Sequence, residues 1–360
     1  MTTTIESTAD AVDLTAVEEF ALRVAGDRAI AYHSILVYLG DRLGLWQQLA
    51  SVGSVTSRQL AERSGLSERH LREWLAAQAA AGYVTYDAAS ESFSLSTEHA
   101  MVLADEDSPA AGIAGFEVIA AIWSSVDRLA NAYATGDGLA WHEHDSRLFT
   151  GVDRFYSTFY RSSLISEWLP AVGGLVERLE SGIRVADVGC GLGSATILMA
   201  QAFPASTFVG IDYHEESVRR ATAAAEAAGV ADRVQFVVGD ASEYAGQFDL
   251  ICYFDAVHDM GDPVGALGHA RRALAPGGQV FAVEPYAEDT LEANLANPVA
   301  LTFYAASSAL CVPHSVSDGG AALGAQAGPA RLVAAFADAG FGHARVAAAT
   351  PYNLVIEARA

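Results

Sequence analysis

Three features of the sequence predict an α/β fold with a doubly wound parallel sheet in the C-terminal half of the chain. The first is the glycine-rich turn Gly189-Cys190-Gly191-Leu192-Gly193, which separates the apolar run 183–188 from an alanine-rich segment. The second is an alternation of apolar runs with helix-like segments after this turn. The third is a pair of apolar runs around Pro351, which is typical of two antiparallel strands that close such a sheet.

The composition narrows the classes of partner that the chain can bind. Its 360 residues carry a formal net charge of −23, from 44 acidic residues and 21 arginines, with no lysine. A chain without lysine has no Walker-type phosphate loop and no Schiff-base lysine. So acidic a surface repels nucleic acids and anionic membranes. Three separated cysteines and the lack of a long apolar run predict a cytoplasmic protein with no disulfide framework and no membrane partner.

The first fifty residues are predicted to form a polar tail and two or three helices. Residues 1–14 are the tail, and residues 15–50 show a helical pattern that Gly26, Gly40 and Gly44 are expected to break. The apolar content of this stretch is high for a helix that faces solvent. We therefore expect it to contact a partner surface, either the other domain or a second subunit.

The next stretch has the pattern of a winged helix-turn-helix. Ser57 is the expected cap of a helix that ends at Gly65, and Ser67 is the expected cap of the following helix. Two short apolar runs, 83–86 and 92–95, then predict a hairpin.

Such units often bind DNA, so the charge of this one decides between two uses. Residues 55–98 contain four arginines against six acidic residues, and Arg69 and Arg72 each have a glutamate nearby. Phosphate contacts dominate DNA affinity. We therefore predict no nucleic-acid partner and, instead, a homodimer formed through this unit.

Residues 108–180 are predicted to be a helical linker rich in aromatic side chains. The run 155–160 places aromatic rings at positions i, i+1, i+4 and i+5. Packing in a core explains this pattern, and so does a lid over a bound ligand in which Tyr156 and Tyr160 contact the substrate.

Two histidines in this linker, His142 and His144, raise the question of a metal site. Their spacing of two does not place them on one helix face, and no second pair lies nearby. We expect a solvated loop here and no bound metal.

Five strands are expected to bring titratable side chains to one edge of the sheet. They cover 183–188, 207–211, 234–238, 248–254 and 279–284, and the closing pair covers 344–349 and 352–358. Ligands of open α/β sheets bind beyond the C-terminal ends of the strands. The residues at these ends are Asp187, Asp212, Asp240, the run from Asp255 to Asp259, and Glu284. A lone acid after a strand is usually a surface residue or a cap, whereas five in register indicate a binding site.

The glycine turn and these acids fit a cationic ligand better than a dinucleotide. A dinucleotide fingerprint would have its third glycine at Ser194, and Asp187 would repel a pyrophosphate. The pattern D-x-G-x-G-x-G instead resembles the first motif of class I S-adenosylmethionine (SAM) methyltransferases. SAM carries an ammonium group, a ribose diol, an adenine amine and a sulfonium cation, all of which suit carboxylates or aromatic rings.

From about residue 15 to its end, the chain resembles the winged-helix small-molecule O-methyltransferases of plants and actinobacteria, and related bacterial methyltransferases with a winged helix in front. The resemblance implies a Rossmann-like class I methyltransferase sheet behind a mainly helical winged-helix domain. The expected division is a tail (1–14), a winged-helix and dimerisation domain (15–107), a helical linker and substrate lid (108–180), and a SAM-binding domain (181–360). SAM is the implied cofactor, bound by Asp187, Gly189, Gly191, Asp212, Tyr213, Asp240, Ala241 and Phe254.

The same resemblance suggests the catalytic residues. The H-D-W-S-D motif of the O-methyltransferases corresponds to His258-Asp259-Met260-Gly261-Asp262, which implies His258 as general base, next to Asp259 and oriented by Glu284. Met260 stands where the family motif has a tryptophan, so the resemblance does not predict the shape of the pocket. The segment 286–328 is expected to be a long loop at the acceptor pocket, with Asn294 and Tyr304 as candidate contacts.

These observations predict SAM-dependent methyl transfer to a hydroxyl or amine of a small molecule that is apolar or aromatic. Two alternatives stay open. The first is a SAM enzyme that cyclises or eliminates instead of methylating, which only the product distinguishes. The second is a regulator that senses a ligand through the α/β domain.

Overall fold

The computed structural model describes residues 12–360, which divide after Asp105 into two compact units. Most of the expected tail, residues 1–11, lies outside the described residues. The first helix already begins at Leu14, inside the range predicted for the tail, because the Asp13 carboxylate accepts hydrogen bonds from the N–H groups of Thr15 and Ala16. No helix among residues 12–360 is both long enough and apolar enough to span a bilayer.

The N-terminal unit contains five helices and a small hairpin. They are α1 (Leu14–Arg42), α2 (Leu45–Ala50), α3 (Ser57–Ser64), α4 (Glu68–Ala80), β1 (Thr85–Asp87), β2 (Ser92–Ser94) and α5 (Thr97–Leu103). The antiparallel pairing of β1 with β2 confirms the predicted hairpin. Of the three expected glycine breaks, only Gly44 ends a helix, with a φ of 64°. The breaks predicted at Gly26 and Gly40 were wrong because one glycine costs a long helix only about 1 kcal/mol.

The cap of the first short helix differs from the prediction by one residue. Thr56, not Ser57, is the N-cap of α3: its hydroxyl accepts the N–H of Gln59, and the Gln59 side chain accepts the N–H of Thr56. Ser67 does precede α4, but its hydroxyl bonds to the His70 ring and caps no N–H group. The predicted end at Gly65 is confirmed.

The second unit begins with the predicted helical segment. It contains α6 (Ala114–Ser124), α7 (Val126–Thr135), a 3₁₀ turn (Trp141–Glu143), α8 (Arg147–Phe159), a π-helical continuation (Tyr160–Trp168) and α9 (Leu175–Ser181). The π-helical segment is unusual, because such turns are rare and concentrate at functional sites.

A seven-stranded sheet confirms the predicted α/β fold. Its strands are β3 (Arg184–Val188), β4 (Thr207–Asp212), β5 (Val234–Val238), β6 (Phe248–Phe254), β7 (Leu274–Pro285), β8 (His343–Ala349) and β9 (Asn353–Arg359). The order is β5-β4-β3-β6-β7-β9-β8. The first five strands are parallel, whereas β9 pairs antiparallel with β7 and β8. β7 starts five residues before the predicted bound, because Leu274 pairs with Phe248 ahead of a register shift.

Helices cover both faces of the sheet. They are α10 (Ser194–Ala202), α11 (Glu215–Ala227), α12 (Pro263–Ala273) and α16 (Gly328–Asp338). One apolar cluster packs α10 and α11 on the sheet, and a second packs α12 and α16 on the other face. The strand order reverses between β3 and β6, which is where open α/β sheets bind ligands.

The segment 286–328 is largely helical and is not the long loop that the sequence suggested. It contains α13 (Leu291–Asn294), α14 (Ala300–Ala306), a π-helical turn (Ser307–Cys311) and α15 (Val312–Ser317). Its apolar side chains pack against α6 and α8 in a small cluster that includes Phe303 and Leu310. This packing orders the segment, although its own sequence shows no clear helical period.

Candidate active site

A cavity of about 700 Å³ lies at the carboxyl ends of β3, β4, β5 and β6. All eight residues predicted to hold a cofactor line it: Asp187, Gly189, Gly191, Asp212, Tyr213, Asp240, Ala241 and Phe254. Asp259, Tyr156 and Tyr160 line it as well. Among the residues from 12 onwards, its lining contains no arginine. The cavity is therefore acidic and aromatic, as the sequence predicts for this edge.

The glycine turn exposes its backbone to this cavity. Gly189, Gly191 and Gly193 all have positive φ, which residues with a Cβ rarely adopt. A Cβ added to Gly191 would meet no atom within 4 Å, so the open space beside it is available to a ligand. A Cβ added to Gly193 would lie 2.5 Å from the Phe236 ring, so this glycine allows close packing instead.

Asp187 offers an unsatisfied carboxylate oxygen at the floor of the cavity. The residue is 1% exposed, and the Thr196 hydroxyl donates to its Oδ2, while its Oδ1 has no hydrogen-bond partner. Burial raises the pKa of this carboxyl to about 7. A buried acceptor without a donor is rare in folded proteins. An ammonium group in the cavity would satisfy it.

Asp212 and Asp240 are held in place by backbone N–H groups. Asp212 accepts from Gly191 N–H at 2.8 Å and from His214 N–H at 2.9 Å, so this carboxylate braces the glycine turn. Burial raises the pKa of Asp212. Asp240 is exposed, and hydrogen bonds from Ser242 lower the pKa of its carboxyl. Each oxygen has a second lone pair, so both carboxylates can still bind ligand donors.

His258 and Glu284 form a buried pair beside the cavity. His258 Nδ1 lies 2.7 Å from Glu284 Oε2, and the carboxylate also accepts the N–H groups of Val257 at 2.9 Å and His258 at 3.2 Å. The two residues are 3% and 0% exposed, and neither is among the side chains that line the cavity. Burial works against a charged imidazole, yet Cys311 and Glu284 raise the pKa of His258 well above its usual value. The neighbouring Asp259 does face the cavity, where the Trp141 indole N–H donates to it at 3.0 Å.

The structure does not bring Asn294 and Tyr304 to this cavity. The Asn294 amide donates to the carbonyls of Glu288 and Thr290 at 2.8 and 3.0 Å, so it stabilises the chain around α13. Tyr304 lies on α14, half-buried and away from the cavity lining. These two candidates rested on their place in a supposed loop, and the helices of that segment turn other residues inward.

Many lining residues were not among the predicted site residues, and four of them carry polar groups that could contact a ligand. Asp255 has a φ of 53°, and both of its carboxylate oxygens are buried without a partner. Burial and Glu284 raise the pKa of Asp255 well above its usual value. Asp153, on α8, accepts the Ser194 hydroxyl at 2.7 Å, and Trp141 and His314 complete the set. Of these four residues, only Asp255 could be located from the sequence, because it directly follows β6. The other three lie on elements whose positions are fixed by tertiary packing.

The two tyrosines predicted as substrate contacts both line the cavity, near the point where α8 continues as the π-helical segment. Tyr156 lies on α8 and Tyr160 opens the π-helical segment, with their rings stacked at a centroid distance of 6.3 Å. Burial, followed by the charge of Asp255, raises the pKa of both hydroxyls well above the usual value. Both therefore remain protonated hydrogen-bond donors. Among the described residues, no group of three or more His, Cys, Asp or Glu side chains is arranged to hold a metal ion.

The fold and this edge define a methyltransferase domain of the SAM-dependent class, placed after a winged-helix domain. Comparisons agree domain by domain: residues 179–318 match the family described as "Methyltransferase domain", and residues 31–105 match the "Rv2258c-like winged HTH domain". The chain therefore carries one domain of each of these families.

Curated relatives named as methyltransferases match part of the chain. One is 27-O-demethylrifamycin SV methyltransferase of Amycolatopsis mediterranei, 37% identical over 105 residues, which are 28% of this chain and 38% of that protein. Another is the chloroplastic tocopherol O-methyltransferase of Arabidopsis thaliana, 30% identical over 154 residues, which are 39% of this chain and 44% of that protein. The chain thus spans less than half the length of these relatives.

Solved structures share the fold over almost the whole chain. Human N-acetylserotonin methyltransferase in complex with SAM has a TM-score of 0.67 and 17% identity, covering 98% of this chain and 99% of that one. Mitomycin 7-O-methyltransferase MmcR has a TM-score of 0.64 and 20% identity, covering 96% of this chain and all of the other. At these identities the likeness establishes the fold alone.

Proposed function

We propose that this protein is a SAM-dependent O-methyltransferase that acts on a small molecule. The observation that carries the proposal is the unpaired Asp187 oxygen beside the open glycine turn, at the switch point of the sheet. Asp187 would bind the ammonium group of SAM, Asp212 the ribose diol, and Asp240 with Ala241 the adenine. Tyr213 and Phe254 would flank the cofactor. Bound SAM would supply a methyl group on a sulfonium, which an acidic, aromatic cavity stabilises.

The proposed catalytic group is His258, with Asp259 and Glu284 beside it. Glu284 holds Nδ1 of His258, so Nε2 is the atom that would take the acceptor's proton. For this, the buried ring, which also hydrogen-bonds with Cys311, would have to become accessible from the cavity. Because a base must be neutral to accept a proton and this pKa is raised, activity should increase as the pH rises above neutrality. The acceptor would lie near Tyr156 and Tyr160, where the aromatic walls exclude water and favour an apolar or aromatic molecule.

Three further parts of the proposal concern the accepting atom, the compartment and the oligomeric state. The names of the relatives favour oxygen as the accepting atom over nitrogen. The free thiols of Cys190, Cys252 and Cys311 suit a reducing, cytoplasmic compartment. The N-terminal unit would form a homodimer, for which the exposed apolar side chains of α1 argue.

Calorimetric titration of the full chain with S-adenosylhomocysteine tests the cofactor edge. We expect one-to-one binding that Asp212→Ala weakens at least tenfold. Asp232→Ala, an exposed aspartate at the opposite end of the sheet, is the matched control and should bind as the wild type does. No binding by the folded wild-type protein would contradict the proposal.

An acceptor screen then tests the chemistry. Incubation with SAM and a panel of phenols and alcohols should release S-adenosylhomocysteine, and His258→Ala should lower kcat by about 10²–10⁴ while cofactor affinity is kept. Release of methylthioadenosine instead would mean that the protein cyclises or eliminates rather than methylates.

A further inference from the structure

A second cavity, of about 540 Å³, lies beside the first in the C-terminal unit. It is formed by the 3₁₀ turn, the start of α8 and the first turns of α11, and it shares His142, Phe149 and Ser217 with the first cavity. Its lining is basic, unlike that of the first: His142, His144, Arg147, His214, Arg219 and Arg220, with Glu216 as the acidic member. In a chain with 44 acidic residues and 21 arginines, a cavity lined by three arginines and three histidines needs an explanation.

One of these arginines, Arg220, forms no ion pair among the described residues, although its charge acts on the carboxylates of Asp153 and Glu216. Arg147 pairs with Asp145 at 2.7 Å, and Arg219 pairs with Glu216. Arg220 is half-buried and donates to the Thr150 hydroxyl at 3.2 Å. In the part of the chain from residue 12 on, no acidic side chain lies within ion-pair distance of Arg220. Its charge is available to a ligand in the cavity.

His144 lacks hydrogen-bond partners at the same place. It is 7% exposed, and both of its ring nitrogens are buried without a partner. Burial, followed by the nearby charge of Arg128, lowers the pKa of His144 to about 4, so the ring is neutral at pH 7 and carries one N–H. A polar group that is shielded from water and unpaired is rare in folded proteins. A ligand acceptor in the cavity would satisfy this N–H.

The start of α11 adds a third favourable feature. His214 caps this 13-residue helix: its ring nitrogen accepts the Ser217 N–H at 3.3 Å, and its ring stacks on Phe149 at 4.4 Å. The N-terminus of a helix carries a partial positive charge that attracts anions, here partly offset by Glu215 and Glu216 in the first turn. The same guanidinium and helix charges would repel a metal cation.

We propose that this second cavity binds an oxyanion, the phosphate or carboxylate group of a small molecule, through Arg220 and His144. The site does not rest on methyl transfer, because Arg220 and His144 do not line the first cavity and its ligand is an anion. Because His142, Phe149 and Ser217 line both cavities, a molecule bound in the second would lie next to the cofactor edge.

Calorimetric titration of the full chain with inorganic phosphate, in a buffer without other oxyanions, tests the proposal. The wild-type protein should show saturable binding, and Arg220→Gln and His144→Phe should each weaken it at least tenfold. Arg271→Gln, which removes an exposed arginine of α12, is the matched control and should bind phosphate as the wild type does. Unchanged affinity for S-adenosylhomocysteine in every variant would show that the fold and the first cavity are intact.

Three results would overturn the proposal. The first is no saturable binding of either phosphate or phenyl phosphate by the wild-type protein. The second is an equal loss in Arg271→Gln. The third is competition between phosphate and S-adenosylhomocysteine, which would place the anion in the first cavity. If S-adenosylhomocysteine fails to bind while phosphate binds, the proposed function fails and the oxyanion site stands.

The source of the oxyanion follows from steady-state inhibition once an acceptor is known. Phosphate that competes with the acceptor would show that the anionic group belongs to the acceptor. Phosphate that changes the rate without such competition would show that the cavity takes a separate effector.

Discussion

The aspartates at the carboxyl edge of the sheet differ in pKa because their burial and hydrogen-bond partners differ. Asp240 is exposed and accepts two hydrogen bonds from Ser242, which lower the pKa of its carboxyl. Asp187 is buried with one oxygen unpaired, and its pKa rises to about 7. At neutral pH, therefore, Asp240 is charged, whereas Asp187 changes its charge when a cation approaches.

This difference predicts that S-adenosylhomocysteine binds more tightly as the pH rises from 6 to 8. The ligand ammonium needs an ionised Asp187, and a pKa of about 7 leaves it mostly protonated at pH 6. The gain should be about tenfold in affinity over that range, since ionisation rises from roughly a tenth to nine-tenths. Calorimetric titration at each pH measures it.

Asp187→Asn is the control, because it keeps the shape of the side chain and removes the titration. Its binding should be weaker and nearly independent of pH. A wild-type profile that is equally flat would show that Asp187 does not contact the ammonium group. In the protein without ligand, the contribution of Asp187 to stability has the opposite pH dependence. The native state holds this proton more tightly than the unfolded chain, so this contribution falls as the pH rises from 3.8 towards 7.

Residue types and positions located the residues that line the cavity at the strand ends, but few of those that the helical segment contributes. The acids at strand ends could be located because parallel strands deliver their C-terminal residues to one edge. Asp255 was placed at this edge but given no role of its own, because its left-handed backbone and its unpaired oxygens depend on the turn after β6. Asp153 and Trp141 come from the helical segment, and no local pattern shows which of its side chains point inward.

At the scale of elements, strands were easier to locate than helix ends. β5 and β6 have the predicted bounds, because each is a short apolar run between turn residues. α1 was expected to break at Gly26 and Gly40, yet it runs through both. At Gly40, tertiary contacts keep the helix continuous. The indole N–H groups of Trp46 and Trp74 donate to the carbonyls of Val37 and Leu36 and hold the helix in place.

The two glycines of α1 therefore predict opposite effects of the same substitution. A Cβ at Gly40 would lie 2.6 Å from both Trp46 Nε1 and Trp74 Cζ2, so Gly40→Ala should destabilise the N-terminal unit by about 1–3 kcal/mol. A Cβ at Gly26 would meet nothing within 4 Å, so Gly26→Ala should stabilise the helix by about 0.5–1 kcal/mol. Differential scanning calorimetry of the full chain measures both, and shifts of equal sign would contradict the packing described.

At the scale of the whole molecule, α1 presents more apolar surface than a helix in water normally does. Nine of its large apolar side chains are exposed: Leu14, Val17, Phe20, Leu22, Val24, Ile30, Tyr32, Ile35 and Leu39. At about 100° per residue, seven of the nine lie on one face of the helix and only Leu22 and Ile30 lie off it. An apolar face of this width normally packs against a core or a partner. Exposed patches of this kind mark interaction sites.

We predict that a second copy of the chain covers this surface. Static light scattering of the full chain should give twice the mass of one chain, since stable interfaces of about 1,200–2,000 Å² are within reach of a 29-residue helix. Replacing Phe20 and Val24 together by aspartate puts charge on neighbouring turns of the helix and should produce monomers. Glu19→Gln, a substitution of the exposed residue next to Phe20, should leave the dimer intact. A wild-type protein that stays monomeric at tens of micromolar would exclude self-association through α1, and a dimer that survives the double aspartate variant would locate the interface elsewhere.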